Sequence, residues 1–361
     1  MKLLVVIGTR PNFIKVTRFR EVMKAAGMGE MTLVHTGQHY DRAMSGVFFE
    51  QFGLQPDHVL QLKGNSGGEQ FANMLQQLVA LMEQLRPDLV LVPGDVNTTL
   101  AGALAAQRLG IPVGHLEAGL RSFDRGMPEE INRILVDQLA SHHFVTEHSG
   151  ETHLVKEGLG NVTAGGSLHF VGNTMIDTLV HFEEAIERSA ILDELVLTGG
   201  QPFYLLTMHR PATVDGEAGL AFIAELLENL VQRSTVVFPI HPRTKKNMER
   251  FGWSERLEHP NVLLTPPLDY FAFQKLVSRA TSVITDSGGL QEETTYRQVP
   301  CVTLRPNTER PITIEIGTNQ LVPDFDVPAV LQAIDHRKLG DIPRLWDGHA
   351  TERVVEVLRG L

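Results

Sequence analysis

The chain has 361 residues, 42% hydrophobic and 21% charged, and its formal net charge of −11 excludes a general nucleic-acid binder, which carries a basic face. That length exceeds the size at which a single core stops growing, so two domains of an ordinary soluble protein are expected. The only cysteine, Cys301, excludes an internal disulfide and suits a reducing cytoplasm.

Leu3-Leu4-Val5-Val6-Ile7 opens the chain as a strand-like run and stops at Gly8-Thr9-Arg10-Pro11-Asn12. It is too short for a signal h-region of roughly 7–15 residues. No later run approaches the roughly 20 apolar residues of a membrane span, so a cytoplasmic protein without membrane attachment is expected. Arg10 and Lys15 fall in the first strand-to-helix segment, where both can turn toward the strand end. Leu89-Val90-Leu91-Val92-Pro93 ends at Gly94-Asp95 and is followed by the helix-favouring Leu100–Arg108, with Gly110 at the expected helix stop. Pro112-Val113-Gly114 then ends at His115-Leu116-Glu117-Ala118-Gly119, and Pro128-Glu129-Glu130 reads as a first helical turn.

A domain boundary is expected near Phe170-Val171-Gly172-Asn173, giving domains 1–171 and 172–349, with a helix over 350–361 packing back on the first. A helical stretch over Thr174–Arg188 opens the second half. There Phe203-Tyr204-Leu205-Leu206 ends at Thr207-Met208-His209-Arg210, and Val236–Ile240 ends at His241-Pro242-Arg243. Ser282-Val283-Ile284 ends at Thr285-Asp286-Ser287-Gly288-Gly289. Short two-sided apolar runs alternating with helices specify an α/β fold with parallel sheets, read here as two doubly wound Rossmann-like domains facing across a cleft. Ligands of such sheets bind beyond the carboxyl ends of the strands.

Several chemistries are disfavoured by absence. There is no Gly-x-Gly-x-x-Gly after the first strand, no Gly-Lys-Ser/Thr loop, no His-Glu-x-x-His motif and no metal-ligand cluster. What remains suits an anionic ligand and acid/base work. Ser287-Gly288-Gly289 precedes a helix whose free N–H groups can cradle phosphate, although an ordinary turn has the same sequence. His209, Arg210, His241 and Arg243 end successive strands and can bind phosphate oxygens or form surface ion pairs. Asp95, Glu117, Glu129 and Glu130 are candidate proton carriers. Asp95 can equally cap the following helix, and the glutamates of the first turn can serve its dipole.

These motifs, together with Thr36-Gly37-Gln38-His39, Asn132-Arg133 and Thr308-Glu309-Arg310-Pro311, resemble in order the non-hydrolysing UDP-N-acetylglucosamine 2-epimerase family over essentially the whole chain. The resemblance implies a GT-B-like fold and reversible inversion at carbon 2 of UDP-GlcNAc, giving UDP-ManNAc. The route it implies is elimination of UDP to a glycal, then re-addition. By motif match, Asp95, Glu117, Glu129, His209, Lys15 and Arg133 resemble the catalytic set. Arg10, Arg210, His241, Phe273, Ser287, Gly288, Gly289, Glu293 and Arg310 resemble the nucleotide-binding set, with Phe273 on uracil, Glu293 on ribose and the Ser-Gly-Gly turn on the diphosphate. Gln38, His39 and Gln70 resemble part of a second, activating substrate site, although Glu69 stands where a cation is common. A homodimer, no metal and no cofactor are also implied.

Two departures bear on the sugar. Asn12 replaces a glutamate common after Gly-Thr-Arg-Pro, and Pro211-Ala212-Thr213 follows His-Arg where a Glu-Asn pair is common. A modified UDP-sugar, a hydrolysing epimerase and a GT-B glycosyltransferase are the alternative readings. A silent nucleotide-sugar sensor would need few of these carboxylates.

Overall fold

The computed structural model describes residues 1–37, 46, 49–159 and 166–361. They form two compact units, one of Met1–His181 with Arg344–Leu361, the other of Phe182–Pro343.

Unit 1 is built on β1 (Leu3–Ile7), β2 (Met31–His35), β3 (His58–Val59), β4 (Leu89–Pro93), β5 (Val113–Leu116), β6 (His142–Val145) and β7 (Ser167–Phe170). All pairs are parallel, in the order β3-β2-β1-β4-β5-β6-β7. Every residue of β1, β4 and β5 is buried, which explains the uninterrupted apolar sequences of β1 and β4. The alanine-rich helix Asn97–Arg108 lies close against this sheet. A Cβ on its Gly102 would stand only 2.9 Å from Val92 Cγ1. The strand order reverses between β1 and β4, so the crevice of a doubly wound sheet opens beyond Ile7 and Pro93.

Unit 2 repeats the plan with β8 (Phe203–Thr207), β9 (Thr235–Pro239), β10 (Val262–Thr265), β11 (Ser282–Thr285), β12 (Cys301–Thr303) and β13 (Asn319–Leu321). Their order is β10-β9-β8-β11-β12-β13, again parallel, and it reverses between β8 and β11. Alternate strand residues serve two cores. Leu206, Val236 and Phe238 pack with Phe222, Ile223 and Leu227, whereas Phe203, Leu205 and Val237 pack with Leu276, Val283 and Cys301. The α/β architecture read from the strand pattern is the one observed. Among the described residues no helix is long and apolar enough to cross a membrane.

The boundary differs from the sequence reading, which divides the chain after residue 171. The helix Thr174–His181 belongs to unit 1. Its Asp177 is fully buried and accepts the backbone N–H of Ala350 at 3.0 Å and the Thr351 hydroxyl at 2.6 Å, while Thr178 donates to the Ile14 carbonyl at 2.5 Å. The helical stretch expected to run to Arg188 breaks at Phe182, the first residue of unit 2. The return falls after Pro343 rather than residue 349, because Trp346 is buried in unit 1 and donates to the Thr146 carbonyl at 3.1 Å. The helix Ala350–Arg359 follows and packs on unit 1.

Candidate active site

In unit 1 the candidate residues gather around the Gly94-Asp95 turn that ends β4. Gly94 has φ +69°, and a Cβ there would stand 3.2 Å from both Lys15 Nζ and Asn12 Nδ2. Lys15, just past the helix Arg10–Ile14, is buried and pairs with Glu117 Oε2 at 2.6 Å. Glu117 follows β5 directly with a left-handed φ of +67°, a conformation rare outside glycine that turns the chain sharply after the strand. Asn12 accepts from Thr9 at 2.9 Å and donates to the Pro93 carbonyl at 3.0 Å, so its amide braces the turn. Arg10 opens the same short helix and is exposed.

Asp95 is not a helix cap; Val96 occupies that position. Instead Arg133 Nη2 holds Asp95 Oδ2 at 2.5 Å, and Asn132 donates to the Asp95 carbonyl at 2.8 Å. Both come from the helix Pro128–Leu139. The two glutamates of its first turn are unlike. Glu130 is buried and accepts from Ser122 N, Ser122 Oγ, Phe123 N and Arg133, at 2.8 to 3.0 Å. Glu129 is half-buried and makes no side-chain hydrogen bond among the described residues. The result is a carboxylate beside an ammonium, a carboxylate beside a guanidinium and an uncommitted carboxylate, all at one end of one sheet.

In unit 2, His209 and Arg210 follow β8, and Asp286 and Ser287 follow the neighbouring β11. Asp286 has no exposed surface and accepts the backbone N–H groups of His209 and Arg210 at 2.9 and 2.8 Å. Its Oδ1 also lies 3.0 Å from His209 Nδ1. Burial pushes the Asp286 carboxyl up, but the His209 ring and the two N–H bonds outweigh it and hold the carboxyl below its usual range. The rings of His209 and His241 lie 5.8 Å apart. His241 Nδ1 caps the helix Pro242–Arg250 by accepting from Arg243 N at 3.2 Å, and the Arg243 side chain turns away to Asp215.

The helix Gly289–Arg297 starts directly after Ser287-Gly288. A Cβ on Gly288 would come within 3.0 to 3.3 Å of Glu309 Oε1, Arg310 Nη1 and Arg305 Nη1, so the turn backs onto buried ion pairs. There Arg305 pairs with Glu309 at 3.0 Å and Arg310 with Glu292 at 2.6 Å. Burial, together with the nearby Arg210 and Arg310 charges, lowers Arg305 below the usual guanidinium range despite Glu309. Glu293 accepts from Tyr270 OH at 3.2 Å, and burial pushes its carboxyl up to about 7 against the hydrogen bonds of Gln274 and Tyr270. Phe273 is half-buried on the helix Tyr270–Arg279, packed against the adjoining core.

The residues with proposed second-site roles are separate from these. Gln70 donates to the Gly64 carbonyl at 3.3 Å. Glu69 accepts from Asn65 N at 2.6 Å, while its own N–H donates to the N-cap Ser66 Oγ, so the acid at that position serves the helix start. Gln38 and His39 lie outside the described residues. Among the described residues no group of acidic, histidine and cysteine side chains could hold a metal.

Sequence reasoning passed over three groups. Asp286 lay inside a quoted motif, but its partner His209 is distant in sequence. Asp137 and His115 are joined only by the fold. Arg305 follows the apolar strand β12, so the strand-end rule applied to the other cations would have found it.

A family model described as UDP-N-acetylglucosamine 2-epimerase matches residues 21–359. The chain is 37% identical to the UDP-N-acetylglucosamine 2-epimerase of Methanococcus maripaludis, over 99% of this chain and 98% of that one. It is also 37% identical to the UDP-2,3-diacetamido-2,3-dideoxy-D-glucuronate 2-epimerase of Pseudomonas aeruginosa, over 100% of both. The crystal structure of Methanocaldococcus jannaschii UDP-GlcNAc 2-epimerase in complex with UDP-GlcNAc and UDP superposes with a TM-score of 0.89 at 35% identity, covering 100% of each chain.

Proposed function

The chain belongs to the UDP-N-acetylglucosamine 2-epimerase family, and from that premise we propose that it interconverts UDP-GlcNAc and UDP-ManNAc without releasing the sugar. The observation that carries this reading is the set of carboxylates held around Gly94, with Glu117 against Lys15 and Asp95 against Arg133. A reversible inversion at carbon 2 needs proton transfer on both faces of the carbon, so it needs more than one such group.

In the elimination step the C1–O bond breaks with its electron pair staying on UDP. The C2 proton passes to a carboxylate and a C1=C2 double bond forms. Return of a proton to the opposite face, with UDP re-adding at C1, gives the epimer. Asp95, Glu117 and Glu129 are the proton carriers in this reading, with Lys15 and Arg133 paired to two of them. A positioned base supplies about 10²–10⁴-fold. Stabilising charge on the leaving group supplies more, since losing one good donor costs about 10²–10³-fold.

The UDP assignments fall in unit 2. The N–H groups of Ser287, Gly288 and Gly289 receive the diphosphate, with His209, Arg210, His241 and Arg310 as the cationic or hydrogen-bonding side chains around it. Glu293 takes the ribose hydroxyls and Phe273 the uracil. Arg10, in unit 1, is a further substrate-binding candidate by motif match. The protein works as a cytoplasmic homodimer in this reading, and Gln38, His39 and Gln70 belong to a regulatory substrate site.

A second sugar is favoured by Asn12. Its uncharged amide sits beside Lys15 and Gly94 where a carboxylate is common, which removes one negative charge and would suit an acidic sugar such as that named for the Pseudomonas relative.

Proton NMR of the enzyme with UDP-GlcNAc in heavy water tests the proposal. UDP-ManNAc carrying deuterium at carbon 2, with little free UDP, is the expected outcome. Free ManNAc with stoichiometric UDP would replace it with the hydrolysing reaction. Turnover of only the diacetamido-glucuronate would move the substrate to the second reading. In the same assay Glu117→Gln should keep UDP binding and lose turnover.

A further inference from the structure

Asp286 stands at the point where the unit 2 sheet reverses, one residue beyond β11, and its carboxylate bonds go to the residues ending β8. Two of its contacts accept backbone N–H groups, and those suffice to tie the two strand ends together. The hydroxyls of Thr207 and Thr285, 2.8 Å apart, already join the same strands one residue earlier. The third contact does something else. Asp286 Oδ1 faces Nδ1 of a ring whose side chain is 42% exposed, while Asp286 itself has no exposed surface. An ionised carboxylate can only accept, so the hydrogen of this contact must reside on Nδ1. A neutral ring protonated there has only a lone pair at Nε2, whereas the imidazolium has an N–H at both positions.

We propose that Asp286 is a positioning residue for the reaction: it fixes the His209 ring with Nδ1–H turned inward and Nε2 turned outward, so that the imidazolium form sets Nε2–H as the donor to the oxygen departing with UDP. The inference rests on the reading of His209 as a diphosphate-side group. When the C1–O bond breaks, its electron pair stays on the β-phosphate oxygen while the C2 proton goes to a carboxylate. The Nε2–H bond strengthens onto that oxygen as charge accumulates, with no change in the proton count of the ring. On re-addition the same oxygen attacks C1 and the bond relaxes. A neutral ring protonated at Nδ1 would instead set its lone pair against the developing charge. A buried acid behind an exposed histidine is the arrangement that fixes tautomer and orientation in other catalytic histidines.

The test combines Asp286→Asn with nitrogen-15 NMR of the histidine rings in the UDP complex. The asparagine oxygen can still accept both backbone N–H groups, but its NH₂ group then faces Nδ1 and reverses the ring's donor. Wild-type protein should show hydrogen on both His209 ring nitrogens in the UDP complex, and the variant should lose the one on Nδ1. The kcat for epimerisation should fall about 10²-fold or more, the scale of one lost transition-state donor, while UDP affinity changes by less than about tenfold. A wild-type spectrum of the UDP complex with either His209 ring nitrogen unprotonated overturns the proposal even if the variant does not fold. So does a variant whose kcat is intact, or one whose loss is wholly weaker UDP binding. Should wild-type protein not epimerise UDP-GlcNAc, the functional reading fails separately, and the ring spectra of the two proteins decide the orientation.

Discussion

His115 and Asp137 are both fully buried, and their side chains meet with Nδ1 and Oδ1 2.6 Å apart. His115 Nε2 lies 2.8 Å from the Gly94 carbonyl, so both ring nitrogens face oxygen acceptors. The other Asp137 oxygen accepts the Gly119 N–H at 3.1 Å and pairs with Arg121 at 2.7 Å. One carboxylate therefore steadies the turn that carries Asp95 and the turn that follows Glu117. Burial pushes the Asp137 carboxyl up, but the charges and bonds of His115 and Arg121 outweigh it and hold it below its usual range.

Replacing Asp137 by asparagine removes the fully buried partner of the Arg121 guanidinium, leaving it only Glu157, and should destabilise the protein by about 3–5 kcal/mol. Urea unfolding at pH 7 would show a lower midpoint with an unchanged slope. Because the folded carboxyl is depressed, its contribution is complete above the unfolded value, about 3.9, and is lost as pH falls through the lower folded value. The gap between wild type and variant should accordingly close in strong acid.

Glu129 and Glu130 separate chemistry from scaffolding within one helical turn. Glu130→Gln puts an NH₂ donor among groups that donate four hydrogen bonds to the carboxylate and should lower the unfolding midpoint as well as activity. Glu129→Gln should leave the midpoint unchanged and reduce kcat by about 10²-fold or more if it carries a proton. Equal effects of the two on stability, measured by thermal unfolding, would refute the distinction.

Gly94→Ala should be unusually damaging for so small a change. The left-handed φ disfavours any side chain, and the new methyl would press on Lys15 and Asn12 at 3.2 Å. Displacement of the Lys15–Glu117 pair by a fraction of an ångström should cost about 10²-fold in kcat, read by the NMR epimerisation assay. Ala substitution at Gly110, which has the same sign of φ but open space around it, should cost stability alone.

Glu293 gives a pH signature. Its carboxyl is pushed up to about 7 by burial, so in the folded protein it takes a proton that the unfolded chain has lost. The stability this adds is full below the unfolded value, about 4.3, and disappears as pH rises through about 7. Ribose hydroxyls bind an ionised carboxylate best, so the KM for UDP-GlcNAc should fall as pH rises from 6 to 8. That substrate's diphosphate does not titrate in this range. Glu293→Gln should abolish the trend.

Much of this arrangement is legible in the sequence because buried parallel strands end where their polar residues begin. Leu89–Pro93 and Leu3–Ile7 are the strands their apolar runs suggest, and Asp95, Glu117, His209 and Ser287 all follow strand ends. What the sequence hides is pairing. Asp95 reads as a helix cap until Arg133 is found holding it, and Glu129 and Glu130 read alike until Ser122 and Phe123 are found on one of them. Asp137 and Asp286 act on residues brought near only by sheet order, and local patterning carries no record of that. The boundary error has the same cause, since Asp177 assigns its helix to unit 1 through Thr351.

That last contact has a consequence for biosynthesis. Asp177 receives the start of the helix Ala350–Arg359, and Trp346 fills a buried position in unit 1. All of Phe182–Pro343 is translated between these partners. On the ribosome, unit 2 can therefore finish folding first, although unit 1 begins to emerge earlier. Until residues 344–361 arrive, unit 1 waits with an open seam at Asp177 and Thr146. A stall or truncation before Trp346 should leave a nascent chain whose second-made unit is native and whose first-made unit is not.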